Sequence, residues 1–326
     1  MNCLICKDNK NVSFINDYKL EVKEDSFIFK DCKIYRCDDC DFSFVNPMPK
    51  KEDLNHYYKN FYRALNRPPY WRTSNPATIQ YDYIKDKNLN WLLYLTTLID
   101  FKKIKTVYDF GCGYGDLGYT LKKKFTSLEI FCTENDDHSK TILKERGYFN
   151  FENLDDINKK FDVIMALHSL EHLTNVDIFS KFNEMLNSNG FIFFEVPNCP
   201  QEYFDGRPYD SPHLLFFTKK SIEKIAKSHN LEFLNFSGSS YSFHDDHKFM
   251  RDSQNLYNEL QESKISLLKL KKIIKKFIPN FLINFKNDLT RIKELKNEDR
   301  INWFTNNTGN NCYIRGILVK KISQDK

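Results

Sequence analysis

The feature that most constrains the fold is a short apolar run ending in glycines, Thr-Val-Tyr-Asp-Phe-Gly-Cys-Gly-Tyr-Gly-Asp-Leu-Gly at residues 106–118. The run is typical of a buried strand, and Gly111, Gly113 and Gly115 allow the backbone to turn sharply into a helix. Such a turn directs bare backbone N–H groups at a ligand. Glu134 follows the next apolar run, where a carboxylate binds ribose hydroxyls in nucleotide-binding folds. The pattern therefore predicts a site for an adenosine-type cofactor.

Strands and helices alternate from this turn onward. The apolar patterns predict strands at 107–110, 128–132, 148–151, 161–166, 190–196, 231–237 and 311–320, with helices at 116–125, 137–146, 175–187 and 218–229. The last strand is expected to pair antiparallel beside the one before it. The alternation predicts an α/β fold with a doubly wound, mostly parallel seven-stranded sheet, covered by helices on both faces.

Composition and pattern divide the chain into five segments. We expect a cysteine-paired unit at 1–45, an aromatic connector and helix at 46–103, the α/β domain at 104–243, a basic helical insertion at 244–308, and the last strand and tail at 309–326. Within the first segment, 27–30 and 34–36 are strand-like. A helix is predicted from about 75 to 101, where apolar residues recur at helical spacing.

Two cysteine pairs frame the first segment. Cys3 and Cys6, with Cys37 and Cys40, provide the four thiolates of a closed tetrahedral zinc site. The spacer suits a zinc ribbon with hairpin strands between the two knuckles, and the alternative is a set of free cysteines. Cys32 falls outside the spacing. Because four protein ligands leave no open coordination position, we expect the metal to be structural. Because no apolar run approaches a membrane span and the start lacks the layout of a signal peptide, we expect a cytoplasmic protein.

The net charge of +5 is concentrated in one segment. Residues 264–293 hold nine Lys or Arg and one acid, so this segment carries +8 and the rest of the chain −3. A dispersed nucleic-acid surface is therefore disfavoured. Apolar residues recur at helical spacing among the lysines, and a basic amphipathic stretch of this kind can bind an anionic membrane. A solvated face of a helical subdomain or a dimer arm is the alternative.

Three interpretations compete for the Gly-rich turn. Residues 113–118 fit the G-x-G-x-x-G pattern of nicotinamide dinucleotide sites, but Asp109, which precedes the glycines, would repel a pyrophosphate. The Gly-Lys-Ser/Thr of a nucleotide kinase loop is absent. An acid at this position suits a cofactor with a cationic amino group.

The order V-x-D-x-G-C-G-x-G, with a following strand that ends in Glu134, resembles class I S-adenosylmethionine-dependent methyltransferases. Residues 161–173, 186–190 and 194–198 match the later motifs of that family in order. The resemblance implies a Rossmann-like methyltransferase sheet and S-adenosylmethionine as cofactor. It also implies cofactor-binding roles, shared between the methionyl part, the ribose, the adenine and the sulfonium, for Asp109, Gly111, Gly113, Glu134, Asn153, Leu154, Leu167 and His168.

Residues 35–49 and 56–58 are similar to the zinc ribbon and connector that precede this domain in bacterial sugar methyltransferases. These include deoxysugar C-methyltransferases and enzymes assigned to capsule and lipopolysaccharide sugars, so the resemblance implies polysaccharide biosynthesis. In the C-methyltransferases a loop resembling Tyr-x-x-Glu-His works beside the acceptor. Here Tyr209 and His213 remain, but Pro212 stands at the Glu position. This departure weakens the case for C-methylation.

Three histidines are candidates for the chemistry. His168 and His172 follow the strand at 161–166 and would share a face if the turn there is helical. His213 is the expected base, because one imidazole near pH 7 can deprotonate a hydroxyl. The alternatives are a structural hydrogen bond for His172 and packing or helix capping for His213. Among the aromatic and arginine residues of the connector, Tyr58 and Arg72 are candidate contacts for a sugar, with Tyr209.

The sequence therefore predicts an S-adenosylmethionine-dependent methyltransferase with a structural Zn²⁺. The expected acceptor is a hydroxyl of a nucleotide-linked or surface-polysaccharide sugar. The alternatives are C-methylation of a nucleotide-linked ketosugar and N-methylation of a sugar substituent. A non-catalytic zinc-ribbon binding or regulatory protein with a cofactor-sensing domain is the alternative of another class. No feature of the sequence indicates an oligomeric state.

Overall fold

The computed structural model of the chain describes residues 1–18, 26–60, 88, 91–92, 94–205, 212–239 and 313–321. Two sheets form within these ranges. The smaller one has the order β1-β2-β3-β9 and consists of β1 (Val12–Asp17), β2 (Lys33–Cys37), β3 (Phe42–Asn46) and β9 (Leu215–Phe216). Because β9 lies among the α/β strands in sequence, the cysteine-paired unit and the α/β domain share this sheet.

The larger sheet confirms the predicted seven-stranded architecture. Its strands are β4 (Thr106–Phe110), β5 (Glu129–Thr133), β6 (Phe149–Asn150), β7 (Phe161–Leu167), β8 (Leu186–Pro197), β10 (Leu231–Ser239) and β11 (Tyr313–Lys320). Their order is β10-β11-β8-β7-β4-β5-β6, and the five strands from β8 to β6 are parallel. The amide of Lys321 donates to the carbonyl of Asn230 at 2.9 Å, so β11 ends where β10 begins and the two run antiparallel, as expected.

The helices are α1 (Ser26–Phe29), α2 (Lys51–Asn60), α3 (Asp116–Lys124), α4 (Asp137–Glu145), α5 (Ile178–Met185) and α6 (Lys219–Ser228). Residues 88, 91–92 and 94–98 are also helical, in agreement with the helix predicted before the sheet. None of the helices in the described part of the chain is both long and apolar enough to cross a membrane. The predicted basic insertion at 244–308 lies outside the described residues.

The register of the parallel strands creates the edge that carries the site. Val107 pairs with Val163, and Ile164 pairs with Ile192, so β4, β7 and β8 end together. Strand β8 begins earlier than the predicted 190, and its pairing with β7 is irregular near its start. Buried aromatic side chains pack along the sheet away from this edge. Among them, the rings of Tyr108 and Phe161 stack with their centroids 5.1 Å apart.

The cysteine-paired unit packs against the α/β domain through a shared apolar core. Phe44 pairs with Leu215 across the β3–β9 ladder, and the ring of Phe42 lies 5.4 Å from that of Phe217. The strand predicted at 27–30 is wrong, because this segment forms the single helical turn α1. Phe29 packs edge-on against the ring of Tyr57, and this tertiary contact outweighs the strand preference of the apolar run.

Candidate active site

The Gly-rich turn between β4 and α3 adopts the conformation that its glycines permit. Gly111, Gly113 and Gly115 have φ of 60°, 58° and 66°, the left-handed region that other residues rarely adopt. Gly118 is required for a different reason. A Cβ there would overlap the Tyr148 hydroxyl, which donates to the Gly115 carbonyl at 2.6 Å. Tyr148 therefore braces the turn from below.

Glu134 follows the end of β5 and faces this turn. One carboxylate oxygen accepts the Gly113 amide at 2.8 Å, and the other accepts the amides of Asn135 and Asp136 at 2.9 and 3.0 Å. The Asn150 side chain accepts the Glu134 amide at 3.0 Å and fixes the residue from behind. A carboxylate has about four acceptor positions, so a group of this kind can accept hydroxyl groups of a ligand as well as backbone amides.

Asp109 is the buried acid of the site. It lies in β4 and is only 4% exposed. Burial raises the pKa of Asp109 to about 8, and the negative charges of Asp116 and Glu134 add to the shift. A hydrogen bond with the Tyr148 hydroxyl opposes it. Such a cluster of carboxylates disfavours an anionic ligand and stabilises a cationic one.

His168 follows β7 and lies between two carboxylates. Its φ is 51°, and its amide donates to the Glu195 carbonyl at 2.9 Å. Nε2 lies 3.1 Å from Glu195 Oε1, and Nδ1 lies 3.3 Å from Glu171 Oε1. Glu195 in turn pairs with Arg315 of β11 at 2.9 Å, and both of these side chains are buried. The two ring nitrogens of His168 are therefore engaged by the protein itself.

His172 ends the short 3₁₀ turn Leu170–His172 and points to a different set of groups. Its Nδ1 lies 3.1 Å from the Tyr58 hydroxyl and 3.3 Å from the Pro212 carbonyl. Burial lowers the pKa of His172 to about 4, and the charge of His213 adds to the effect. His172 is therefore neutral and weakly basic at neutral pH.

His213 is brought beside His172 from the loop before β9. The two rings are 5.0 Å apart and nearly perpendicular, at 73°. One carboxylate oxygen of Glu171 and one ring nitrogen each of His172 and His213 lie within 4.8 Å of one another. The structure thus brings the three predicted histidines to one edge of the sheet, and Tyr58 joins them through His172.

The remaining predicted site residues lie around this edge or outside the described part of the chain. Asn153 is exposed, and its side chain donates to Asp156 at 3.0 Å. Leu154 and Leu167 are half-buried. Arg72 and Tyr209 lie outside the described residues.

The structure adds groups to which the sequence assigned no role. Glu171, Glu195 and Arg315 are buried charges beside the histidines. Trp91, also buried, lies with its ring 6.2 Å from that of His168. Glu171 and Glu195 lie within the motifs at 161–173 and 194–198, so their acidic side chains could have been recognised as site candidates from the sequence. Arg315 lies far away in sequence, and no pattern there indicates its role.

The four paired cysteines converge in the N-terminal unit. Their sulfurs all lie within 4.8 Å of one another, with Cys3 Sγ 3.6 Å from Cys40 Sγ and Cys6 Sγ 3.7 Å from Cys37 Sγ. Four thiolates around one zinc at about 2.3 Å would be about 3.8 Å apart, so these residues fit a structural Zn²⁺. Lys224 Nζ of α6 lies 3.0 Å from Cys6 Sγ, where a cation offsets thiolate charge.

The strand order, the Gly-rich turn and the acid before it define the class of protein. A mostly parallel seven-stranded sheet with one antiparallel strand next to its end, and a Gly-rich turn after β4, make this a Rossmann-like methyltransferase fold. Residues 80–235 match the family model described as a methyltransferase domain. Just under half of the chain is therefore a methyltransferase domain of the S-adenosylmethionine-dependent type.

The chain is also similar to solved structures of methyltransferases. StiE O-MT is 14% identical over 77% of this chain and 80% of that chain, with a TM-score of 0.46. Magnesium protoporphyrin IX methyltransferase from Synechocystis PCC 6803, with bound SAM, is 12% identical over 58% and 92%, with a TM-score of 0.44. Coclaurine N-methyltransferase is 13% identical over 82% and 86%, with a TM-score of 0.46. These likenesses say nothing about the acceptor. No protein of curated function matches the sequence.

Proposed function

We propose that the protein methylates a hydroxyl of a sugar that is nucleotide-linked or part of a surface polysaccharide, with His213 as the base. We choose His213 as the base because of the surroundings of the other two histidines. His168 has a carboxylate at each ring nitrogen, and His172 is weakly basic because it is buried. His213 stands next to His172 at the edge where parallel sheets bind ligands.

When bound, S-adenosylmethionine supplies an electrophilic methyl group on a sulfonium. We assign the methionyl part to Asp109 and the backbone of Gly111 and Gly113, and the ribose to Glu134. Asn153 and Leu154 would flank the adenine. These assignments are supported by the buried Asp109 with the charges of Asp116 and Glu134 near it, which favour a cationic ligand, and by the carboxylate of Glu134 beside the turn.

We place Leu167 and His168 beneath the sulfonium and His213 against the acceptor hydroxyl. As the methyl bond forms, His213 takes the hydroxyl proton, and methyl transfer needs little else from the protein than alignment of the two groups. His172 acts as a positioning residue, held by Tyr58 and the Pro212 carbonyl. Tyr58 is the proposed contact for the sugar, together with Arg72 and Tyr209.

The direct test is mass spectrometry of nucleotide sugars after incubation with S-adenosylmethionine. A methylated product from a sugar with hydroxyls and no carbonyl supports the proposal, and products from ketosugars alone would overturn O-methylation. His213→Asn should lower kcat by about 10²- to 10⁴-fold, the usual contribution of a general base. His229→Asn, at the far end of α6, is the matched control. Both variants should bind S-adenosylhomocysteine like the wild type in calorimetry.

C-methylation of a ketosugar is the second candidate, and one observation favours it. The loop has Pro212 where the Tyr-x-x-Glu-His pattern has a glutamate. However, the buried carboxylate of Glu171 lies within 4.8 Å of a His213 ring nitrogen. A Glu–His pair can remove a proton from carbon beside a carbonyl. Exchange of that proton for deuterium from solvent, in a ketosugar without methyl transfer, would favour this candidate over the first.

We extend the proposal to the parts of the chain outside the transfer site. The four cysteines hold one structural Zn²⁺, supported by the sulfur distances, in a zinc ribbon. The cysteine usage favours the cytoplasm. The basic stretch at 264–293 is proposed to contact anionic membranes, where lipid-linked glycans are assembled. Failure to co-sediment with anionic vesicles at low salt would refute this last point.

A further inference from the structure

The carboxylate of Glu171 is buried without the hydrogen bonds that such a group needs. The residue is 1% exposed, and neither oxygen accepts a hydrogen bond from a described residue. Within the described part of the chain its ion-pair contact is Nδ1 of His168 at 3.3 Å, and that imidazole also faces Glu195. Burial of a carboxylate with so few donors is costly unless a cation occupies the site.

Two imidazoles complete a donor set around this carboxylate. One nitrogen each of His172 and His213 and one oxygen of Glu171 lie within 4.8 Å of one another. Around a tetrahedral zinc with ligands at about 2.1 Å, such atoms would be about 3.4 Å apart. Side-chain movements of about 1 Å would therefore bring the three atoms to the spacing of zinc ligands. Two histidines and one carboxylate, with a position left open, are typical zinc ligands.

The surroundings fix these ligands as a metal site requires. Ligating histidines usually bind a carbonyl or a carboxylate through their second nitrogen. Nδ1 of His172 lies 3.3 Å from the Pro212 carbonyl, and in the tautomer that donates to this carbonyl Nε2 holds the lone pair. On the other side of Glu171, His168 is held by Glu195, and Glu195 by Arg315.

We propose that Glu171, His172 and His213 form a second metal site, for Zn²⁺ or a similar divalent transition metal, separate from the four cysteines. Occupation of this site inhibits methyl transfer, because the metal takes the lone pair of His213. That second statement rests on the proposed role of His213 as base, whereas the binding of metal does not.

The test is a titration of protein whose cysteine site is already loaded with zinc, first with Co²⁺ and then with Zn²⁺ in calorimetry. We expect one further equivalent of Co²⁺ with the absorption of nitrogen and oxygen ligands and without a thiolate charge-transfer band. Glu171→Gln and His213→Asn should each weaken this binding by about 10-fold or more, in line with the loss of metal-site partners. His229→Asn should bind as the wild type does, and S-adenosylhomocysteine binding reports that each variant is folded.

The absence of a second equivalent in the wild type, or equal binding by both ligand variants, would overturn the metal site. A second equivalent that leaves turnover unchanged would overturn the inhibition. If no sugar is methylated in metal-free buffer while the Co²⁺ titration behaves as expected, the proposed function fails and the metal site stands.

Discussion

The sharpest prediction concerns Asp109, because this buried acid should destabilise the fold that it serves. The unfolded chain releases its proton near the ordinary pKa of 3.8, whereas the folded chain keeps it to about pH 8. Folding therefore becomes less favourable as the pH rises across this window. Asp109→Asn removes the group that ionises and keeps its shape. We expect the variant to be more stable than the wild type, by an amount that grows with pH.

The magnitude follows from the shift. A change from 3.8 to about 8 amounts to about 5 kcal/mol in the free energy of unfolding at pH 8, at 1.36 kcal/mol per pKa unit. At pH 5 only about 1.5 kcal/mol of this is present by the same arithmetic. The expected gain between pH 5 and pH 8 is thus about 3 to 4 kcal/mol, and at least about 2 kcal/mol if water relaxes the site.

Urea unfolding of wild type and Asp109→Asn at pH 5, 6.5 and 8 measures this gain. Asp162→Asn is the control of opposite sign. Burial raises the pKa of Asp162, but hydrogen bonds, first from the Lys105 amide, outweigh it and leave the pKa lowered. Its stabilising effect is therefore lost as the pH falls. If the stability of Asp109→Asn parallels that of the wild type at every pH, the reasoning is refuted. The variant should also bind S-adenosylhomocysteine about 10- to 100-fold more weakly, since a charged hydrogen bond is lost.

Glu134→Ala should weaken S-adenosylhomocysteine binding at least about 10-fold in calorimetry, because the Gly113 amide loses its acceptor and the ligand loses a carboxylate; unchanged affinity would remove Glu134 from the site. Arg315→Met should lower the free energy of unfolding by about 3 to 5 kcal/mol, since Glu195 would stay buried without its partner; recovery in the double variant with Glu195→Gln distinguishes this cause from lost packing. Cys37→Ser should release the bound zinc, as measured by elemental analysis, and lower thermal stability; a full zinc equivalent in a stable variant would contradict the four-cysteine site.

Much of the α/β sheet could be predicted because its signals are local. Each strand is an apolar run bounded by turn residues, and the glycines at 111, 113 and 115 mark the left-handed positions that the structure contains. Helix and strand ends differ from the prediction by a few residues, as fraying ends do. The parallel order follows from the alternation of the elements and the handedness of their connections.

The groups around the histidines could not be predicted in the same way, because tertiary contacts assemble them. His172 and His213 meet across a long stretch of sequence, and the 3₁₀ turn directs His168 and His172 to different partners instead of one helical face. Arg315 reaches Glu195 from the last strand. Strand β9 is too short for a periodic signal and exists because β3 pairs with it.

That short strand connects the cysteine unit to the proposed chemistry. Pro212 and His213 immediately precede Leu214, whose carbonyl accepts the Val45 amide of β3 at 2.9 Å and whose amide donates to the Glu171 carbonyl at 2.7 Å. Strand β3 is in turn fixed by its ladder with β2, which ends at Cys37. The position of His213 therefore depends on the N-terminal unit, for which we propose a stabilising zinc. We therefore expect loss of the proposed zinc to lower kcat before it lowers cofactor binding, because Asp109 lies in β4 and Glu134 follows β5, and β9 pairs with neither strand.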